Sequence, residues 1–170
     1  DKSGNQTSET DSEGNQIIYK YDALNNLVET KDAAGGISKY FYDKNSNLIK
    51  AVDPLGFETR NIYDENDNIK EEIDKNGASI KYETDAFGNI VKKIDKNENV
   101  STYSYDRDGN LLSVTLPNGS VRTYTYGLSG ELTSESENGR LLSAYSYDKD
   151  YNLLTETDAK GNKDTYSYDA

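Results

Sequence analysis

A 21-residue period constrains this chain more than any other feature of its sequence. Tyrosine recurs at that interval, usually followed by aspartate, and Thr84 takes its place once. We call these residues the marker tyrosines: Tyr21, Tyr42, Tyr63, Tyr105, Tyr126, Tyr147 and Tyr168. A second tyrosine column stands two positions earlier, with Asn61 as its exception: Tyr19, Tyr40, Tyr82, Tyr103, Tyr124, Tyr145 and Tyr166. Such self-similarity indicates a repeat architecture.

Each unit reads as strand, turn, strand, turn. The second strand of each unit opens with one apolar column, Leu27, Leu48, Ile69, Ile90, Leu111, Leu132 and Leu153. The turns carry aspartate and glycine, because aspartate can bond nearby backbone and glycine accepts a positive φ. The turn residues that we expect to set the register are Asp32, Gly35, Asp53, Gly56, Asp74, Gly77, Gly88, Gly109, Gly119 and Gly161. The two prolines, Pro54 and Pro117, also fall in turns, where they remove no ladder hydrogen bond.

The pattern predicts an all-β fold in which tandem 21-residue β-hairpins form a long twisted antiparallel sheet, spiral or shell-like. About eight repeats fill residues 1–170, which we expect to be one repeat segment and a piece of a longer array. One unit departs from the pattern, since Gly127 replaces aspartate, Glu131 replaces asparagine and Gly139 comes one place early. A bulge or a shifted turn is expected there.

Side chains two positions apart in a strand share a face. The tyrosines and the apolar column are therefore expected to form one apolar face, the structural core of the repeat. By the same rule Leu48, Lys50 and Val52 are expected on one side of the sheet. The same holds for the sets Ile69, Glu71 and Ile73, and Ile90, Lys92 and Ile94. The residues between the tyrosines are mostly polar, which predicts a wet opposite face.

Composition limits the classes of function. Leu, Ile, Val and Phe make up a little under a fifth of the chain and its net charge is -12, values that by themselves favour disorder. The strict period argues for a folded chain, with tyrosine supplying apolar area. Without cysteine or histidine, disulfides and the usual zinc or Ser-His-Asp sites are excluded within this chain. The acidic balance disfavours nucleic acid, and no apolar run is long enough for a membrane helix.

The unit Tyr-x-Tyr-Asp-x-x-Gly-Asn-Leu resembles the YD repeat, also called the RHS repeat. Tyr103 to Leu111 is its nearest copy, and residues 85–90 and 147–153 are partial copies. The resemblance implies a β-sheet wound into a hollow shell, as in bacterial polymorphic toxins and cell-surface RHS proteins. It also implies a secreted or cell-surface location, and as partners the remaining repeats of a parent protein and an enclosed toxin domain. The expected role is a structural scaffold with no catalytic activity and no cofactor.

Four alternatives compete with that role. The turn that starts at Asp106 resembles the start of an EF-hand loop, but Pro117 stands where the bidentate glutamate is needed, so turn chemistry is favoured over weak calcium binding. Paired carboxylates on exposed turns do not supply a glycosidase cleft. The aromatic columns would suit a surface-adhesion or carbohydrate- and cell-wall-binding module if their face is exposed. Edge strands and an uncovered face would favour self-association.

Overall fold

The structure is a computed structural model that describes residues 1–169. Within that range every regular element is a β-strand, and no helix is long and apolar enough to cross a membrane. The sixteen strands lie in the sheet in the order in which they occur in the chain. They are β1 (Ser8–Thr10), β2 (Gln16–Tyr21), β3 (Leu27–Lys31), β4 (Ile37–Tyr42), β5 (Leu48–Val52), β6 (Glu58–Tyr63), β7 (Ile69–Ile73), β8 (Ser79–Thr84), β9 (Ile90–Ile94), β10 (Val100–Tyr105), β11 (Leu111–Thr115), β12 (Val121–Tyr126), β13 (Leu132–Glu137), β14 (Arg140–Tyr147), β15 (Leu153–Asp158) and β16 (Lys163–Thr165).

The predicted fold class is confirmed, because the strands pair antiparallel with their neighbours in the chain and form an all-β sheet of hairpins. The chain forms two compact units, Asp1–Tyr82 and the residues from Glu83 onward. Nothing in the structure tests whether the repeats of residues 1–170 act as one segment of a longer array, so that expectation stays a prediction.

A β-bulge precedes the marker tyrosine in six hairpins, where the register shifts by one residue. In β10 and β11, Tyr103 lies opposite Val114 and Tyr105 lies opposite Leu111, so Leu112 is the extra residue. A bulge sets two residues of one strand against one of its partner. Tyrosine and the first apolar residue of the next strand therefore share a face, which we call the tyrosine face.

The bulge makes one prediction wrong. Leu48 lies opposite Tyr42, on the tyrosine face. Lys50 lies opposite Phe41 and Val52 opposite Lys39, on the other face of the sheet, which we call the second face. In the next hairpin Ile69 lies opposite Tyr63 while Glu71 lies opposite Ile62. The simple alternation fails because the inserted residue reverses the facing of all that follows it in the strand.

The irregular unit has both a bulge and a shortened turn. Asn138 and Gly139, with φ of 50° and 80°, join β13 directly to β14, and the register shifts between Glu135 and Ser136. Two residues of positive φ are typical of a type I′ hairpin turn. Asn138 also replaces a missing ladder partner, because its Oδ1 accepts the Val121 N–H and its own N–H donates to the Val121 carbonyl.

Candidate functional site

The marker tyrosines join each repeat to the one before it. The Tyr105 hydroxyl donates to the carbonyl of Ile90, 15 residues earlier, at 3.0 Å. The same contact, at 2.9–3.1 Å, is made from Tyr42 to Leu27, Tyr63 to Leu48, Tyr126 to Leu111, Tyr147 to Leu132 and Tyr168 to Leu153, and Tyr21 donates to Gln6. The acceptor is in nearly every case the carbonyl of the residue that opens the bulged strand. Each repeat therefore carries the hydrogen-bond acceptor for the next.

The rings of these tyrosines are half-buried, with Tyr168 more exposed at 53%. Partial burial raises the pKa of Tyr105, and the same cause raises the pKa of Tyr42, Tyr126 and Tyr147. Desolvation disfavours the phenolate. The phenols of these four tyrosines therefore stay protonated and able to donate at neutral pH.

The second tyrosine column lies on the same face but is bonded differently. Tyr19, Tyr40, Tyr103, Tyr124 and Tyr145 are half-buried and Tyr166 is 39% exposed. The Tyr82 hydroxyl donates to the carboxylate of Glu72 at 2.7 Å. The apolar column shares this face and is half-buried as well, except Ile90 at 38% exposure. The structure brings the predicted core residues together on one face, and their role as the core stays a prediction.

Aspartate closes the turns through a repeated set of bonds. In the turn that starts at Asp106, its Oδ1 accepts the N–H groups of Asp108 and Asn110, and its Oδ2 accepts the Asn110 amide, all at 2.9 Å. The bond from the Asn110 side chain is the main reason that the pKa of Asp106 is lowered. In the predicted turn residues Asp32, Asp53 and Asp74, Oδ1 likewise accepts the N–H of the residue four positions later, and the predicted glycines have φ between 81° and 88°.

The turn from Gly127 to Glu131 keeps this geometry, although glycine stands in place of the first aspartate and glutamate in place of the last asparagine. Gly127 N–H donates to the Glu131 carbonyl and Gly130 N–H to the Gly127 carbonyl, as in the other turns. A Cβ built on Gly127 would overlap the carboxylate of Glu131, which also accepts the N–H of Ser129 at 3.1 Å. Glu131 thus places its carboxylate where the missing aspartate would lie, and the turn is not shifted.

Turn asparagines, expected only to bond nearby backbone, also connect successive turns. Asn5 donates to Asn25, Asn26 to Ser46, and Asn47 to Asp67, at 2.9, 3.1 and 2.6 Å. The signal was available, because asparagine recurs with the 21-residue period directly before the apolar column. These side chains add a line of contacts between repeats along the turn edge of the sheet.

The second face changes in chemistry along the chain at one repeated position. Lys20 pairs with Glu29 at 2.7 Å, the Lys50 ammonium lies 4.3 Å from the centre of the Phe41 ring, and Lys92 pairs with Glu83 at 2.7 Å. Later repeats replace these with hydroxyl pairs, Ser104 with Ser113, Thr125 with Ser134, and Ser146 with Thr155, at 2.6–2.7 Å. The exposed ion pairs among these contribute little stability each.

The arrangement is suited to holding strands together. Among residues 1–169 no group of three or more acidic, histidine or cysteine side chains is placed to hold a metal ion. The turn carboxylates are engaged by the backbone of their own turns, which is the chemistry expected of β-turns. Weak calcium binding at these turns is not tested by the structure.

Comparison with known proteins places this geometry in context. The RHS repeat family model matches residues 1–37 and 105–138, so the resemblance predicted from the tyrosine pattern is confirmed. A comparison with curated protein sequences gives no match.

Solved structures share the fold. The crystal structure of TcdB2-TccC3-Cdc42 is 14% identical, with a TM-score of 0.61 over 87% of this chain and 10% of that chain. The crystal structure of TcdB2-TccC3 is 15% identical, with a TM-score of 0.60 over 87% of this chain and 10% of that chain. A mutant Tc holotoxin pore of Photorhabdus luminescens is 14% identical, with a TM-score of 0.55 over 91% of this chain and 14% of that chain. The chain therefore spans about a tenth of the length of the first structures it matches.

Proposed function

We propose that this array of RHS repeats is a non-catalytic scaffold, a segment of the wall of a β-sheet shell in a bacterial toxin or surface protein. The observation that carries the proposal is the hydroxyl contact from each marker tyrosine to the carbonyl 15 residues before it. Because every repeat both uses and supplies this contact, the unit is built to be extended. Stability in such an array is approximately a sum of repeat and neighbour terms.

Similarity in fold to the Tc toxin structures supports the wall assignment. On this proposal the partners of the chain are the remaining repeats of its parent protein and a polypeptide enclosed by the shell. The protein would act outside the cell or at its surface. Residues 1–170 would then be one segment of that wall, and the tyrosine face would be its apolar side.

Deletion of one whole period tests the scaffold role. Removing residues 43–63 joins Tyr42 to Asp64 and keeps the tyrosine-aspartate step intact. We expect the shortened chain to remain folded and all-β, with a modest loss of melting temperature, because a repeat contacts mainly its neighbours. Circular dichroism and thermal unfolding provide the measurements.

A matched control removes half a period. Deleting residues 43–53 takes out one turn and the strand β5, so β4 and β6, two strands of the same kind, become neighbours, and the Tyr63 hydroxyl loses the Leu48 carbonyl that it bonds. This variant should lose cooperative unfolding. If both deletions unfold the chain equally, the residues form one indivisible domain and the scaffold proposal is wrong.

A further inference from the structure

The second face of the first compact unit differs in charge from the rest of the chain. Alternate residues of β2 to β8 form it, as the registers of the paired strands show. We call it the basic face, and its cations are Lys20, Lys31, Lys39, Lys50, Arg60 and Lys81. These are six of the ten lysines and arginines of residues 1–82, whereas three of the sixteen carboxylates of that range lie on this face, Glu29, Glu58 and Glu71. Six cations against three carboxylates leave the basic face with a net charge of +3, on a chain whose net charge is -12.

Two of these carboxylates are engaged by cations of the same face. The Lys20 ammonium lies 2.7 Å from Glu29, and the Arg60 guanidinium lies 2.7 Å from Glu58. The hydrogen bond from Lys20 is the main reason that the pKa of Glu29 is lowered. The carboxylates of the basic face are therefore neutralised from within the chain.

Two lysines of the basic face have no such partner. Lys31 and Lys39 are exposed and form no ion pair with any residue in the range 1–169. Lys39 lies opposite Glu29, but the carboxylate of Glu29 is already bonded by Lys20. The two ammonium groups are therefore available to an anion from outside the chain.

Large apolar side chains lie between the cations of the basic face. Ile37, Phe41 and Ile62 are 41–43% exposed. Phe41 lies opposite Lys50, whose ammonium lies 4.3 Å from the centre of the Phe41 ring. One side of the sheet thus presents exposed cations and exposed apolar groups together.

The repeat fold does not require a cation at these positions. Four periods after Lys31 and Lys39 the chain has Thr115 and Thr123, in strands that pair with the same register. Threonine therefore supports the same strands without any charge. The basic face needs a reason other than the fold of the repeat.

We propose that the basic face binds the surface of an anionic phospholipid bilayer. Lipid phosphates would meet Lys31 and Lys39, while Ile37, Phe41 and Ile62 would enter the apolar layer just beneath the headgroups. Amphipathic helices that lie at this boundary combine the same residue types, and each lysine or arginine near an anionic leaflet adds to the attraction. The contact goes beyond the scaffold role and does not depend on it, because it uses the face opposite the tyrosines.

An acidic polypeptide in solution fits the basic face less well. It would match the cations but would offer no apolar layer to the exposed isoleucine and phenylalanine side chains. The net charge of -12 opposes approach to any anion. Charges more than about 8 Å away are largely screened at physiological ionic strength, so the residues that face the bilayer decide the sign of the interaction.

Co-sedimentation of the full chain with lipid vesicles tests the proposal. We expect binding to vesicles of phosphatidylcholine with phosphatidylglycerol, no binding to phosphatidylcholine alone, and release at about 1 M salt, where the screening length is about 3 Å. The double variant Lys31→Thr/Lys39→Thr installs the residues that the chain has four periods later, so it should stay folded. It should weaken binding by at least about tenfold. Phe41→Thr, which installs the residue found at Thr125, should weaken binding as well.

The double variant Lys44→Ala/Lys75→Ala is the matched control. It removes the same two charges from turns of the first compact unit and installs the residues of the equivalent turns, Ala23 and Ala33. Binding should be unchanged in this control, and circular dichroism should show the same fold in every variant.

Three results would overturn the proposal. The first is no binding to either kind of vesicle, or equal binding to both. The second is an equal loss of binding in the control and in Lys31→Thr/Lys39→Thr. The third is tighter binding to soluble polyglutamate than to vesicles with no effect of Phe41→Thr, which would assign the basic face to acidic polypeptides.

Discussion

At the residue scale, a marker tyrosine contributes its ring and its hydroxyl to different neighbours. The Tyr105 ring lies half-buried on the tyrosine face, while its hydroxyl donates to the Ile90 carbonyl. Tyr103 lies on the same face, two positions earlier, and within the described residues its hydroxyl makes no hydrogen bond. The two residues therefore separate the contribution of the ring from that of the hydroxyl.

Removing single hydroxyls should show this difference. Tyr105→Phe is expected to lower the free energy of unfolding by about 1 kcal/mol, because the Ile90 carbonyl loses its donor. Tyr103→Phe should change it by less than about 0.5 kcal/mol, as for a surface substitution. Urea unfolding of the two variants provides the comparison. Equal costs would show that the contact between repeats contributes no stability.

Acid should destabilise the fold through its turns. Hydrogen bonds from asparagine and the backbone lower the pKa of Asp11, Asp22, Asp43, Asp85, Asp95, Asp106, Asp148 and Asp158. A carboxyl whose pKa is lower in the folded state stabilises the fold above the unfolded value, about 3.9. That contribution is lost as the pH falls through the folded values.

The measurement is the melting temperature from neutral pH down to about pH 2. We expect a plateau above about pH 5 and a progressive fall below about pH 4. The variant Asn110→Ala lacks the donor that lowers the pKa of Asp106, so its deficit relative to the wild type should shrink in acid. A deficit that stays constant at every pH would contradict this account.

At the element scale, the turns that follow the marker tyrosines share one hydrogen-bond pattern. Different residues can supply the carboxylate in that pattern. The turn at Asp106 uses aspartate first and asparagine last, whereas the turn at Gly127 uses glycine first and Glu131 last. In both, one carboxylate lies inside the turn. The position of that carboxylate is therefore what the turn requires, regardless of which residue supplies it.

A double-mutant cycle tests that compensation. Gly127→Asp alone crowds two carboxylates into one turn and should cost about 1 kcal/mol, and Glu131→Asn alone removes the only carboxylate and should cost a similar amount. The double variant recreates the pattern of Asp106 and Asn110, so its stability should return close to the wild-type value. Additive losses in urea unfolding would rule out the exchange.

The turns could be predicted from sequence because aspartate and glycine have strong local reasons to occupy them. Most of the predicted pattern depended on that chemistry, although Glu98 adopts a positive φ of 64° with no glycine to indicate it. The bulge was missed because an extra residue leaves no change in composition. Its one trace is the pair of adjacent apolar residues at the strand start, as in Leu48-Ile49 and Leu111-Leu112, which interrupts the expected alternation.

The acceptor of the tyrosine hydroxyl could not be predicted at all. It is a backbone carbonyl, and any residue has one. The Leu111 carbonyl, which the Tyr126 hydroxyl bonds, belongs to the residue that the bulge sets opposite Tyr105. The proximity of Ala51 and Phe57 to Tyr40 was missed for a related reason. Both residues are unremarkable in sequence, and pairing across two hairpins is what brings them beside Tyr40.

At the scale of the whole molecule, the described residues form little buried interior. Among residues 1–169, Val114 is the one hydrophobic side chain classed as buried, at 8% exposure. The tyrosine face is therefore half-covered by its own side chains. If the chain is part of a shell wall, as proposed, this face would be covered by other parts of the wall or by what the wall encloses.

The separate 19.0 kDa chain should associate in solution, because an exposed apolar face favours contact with a second copy. Light scattering behind size exclusion is expected to give a molar mass that rises with protein concentration. Calcium should leave this mass unchanged, since turn chemistry accounts for the carboxylates. A constant mass of 19.0 kDa would show that the tyrosine face needs no cover, and a calcium-dependent mass would support metal binding at the turns.

The hydroxyl contact between repeats also has a direction, because each marker tyrosine reaches only toward the amino end. A ribosome adds about 5–20 residues per second, so the acceptor carbonyl is synthesised about one to three seconds before the phenol that will bond it. Each newly emerged hairpin finds its docking site already made. The sheet can therefore lengthen strand by strand during translation, without waiting for any distant part of the polypeptide.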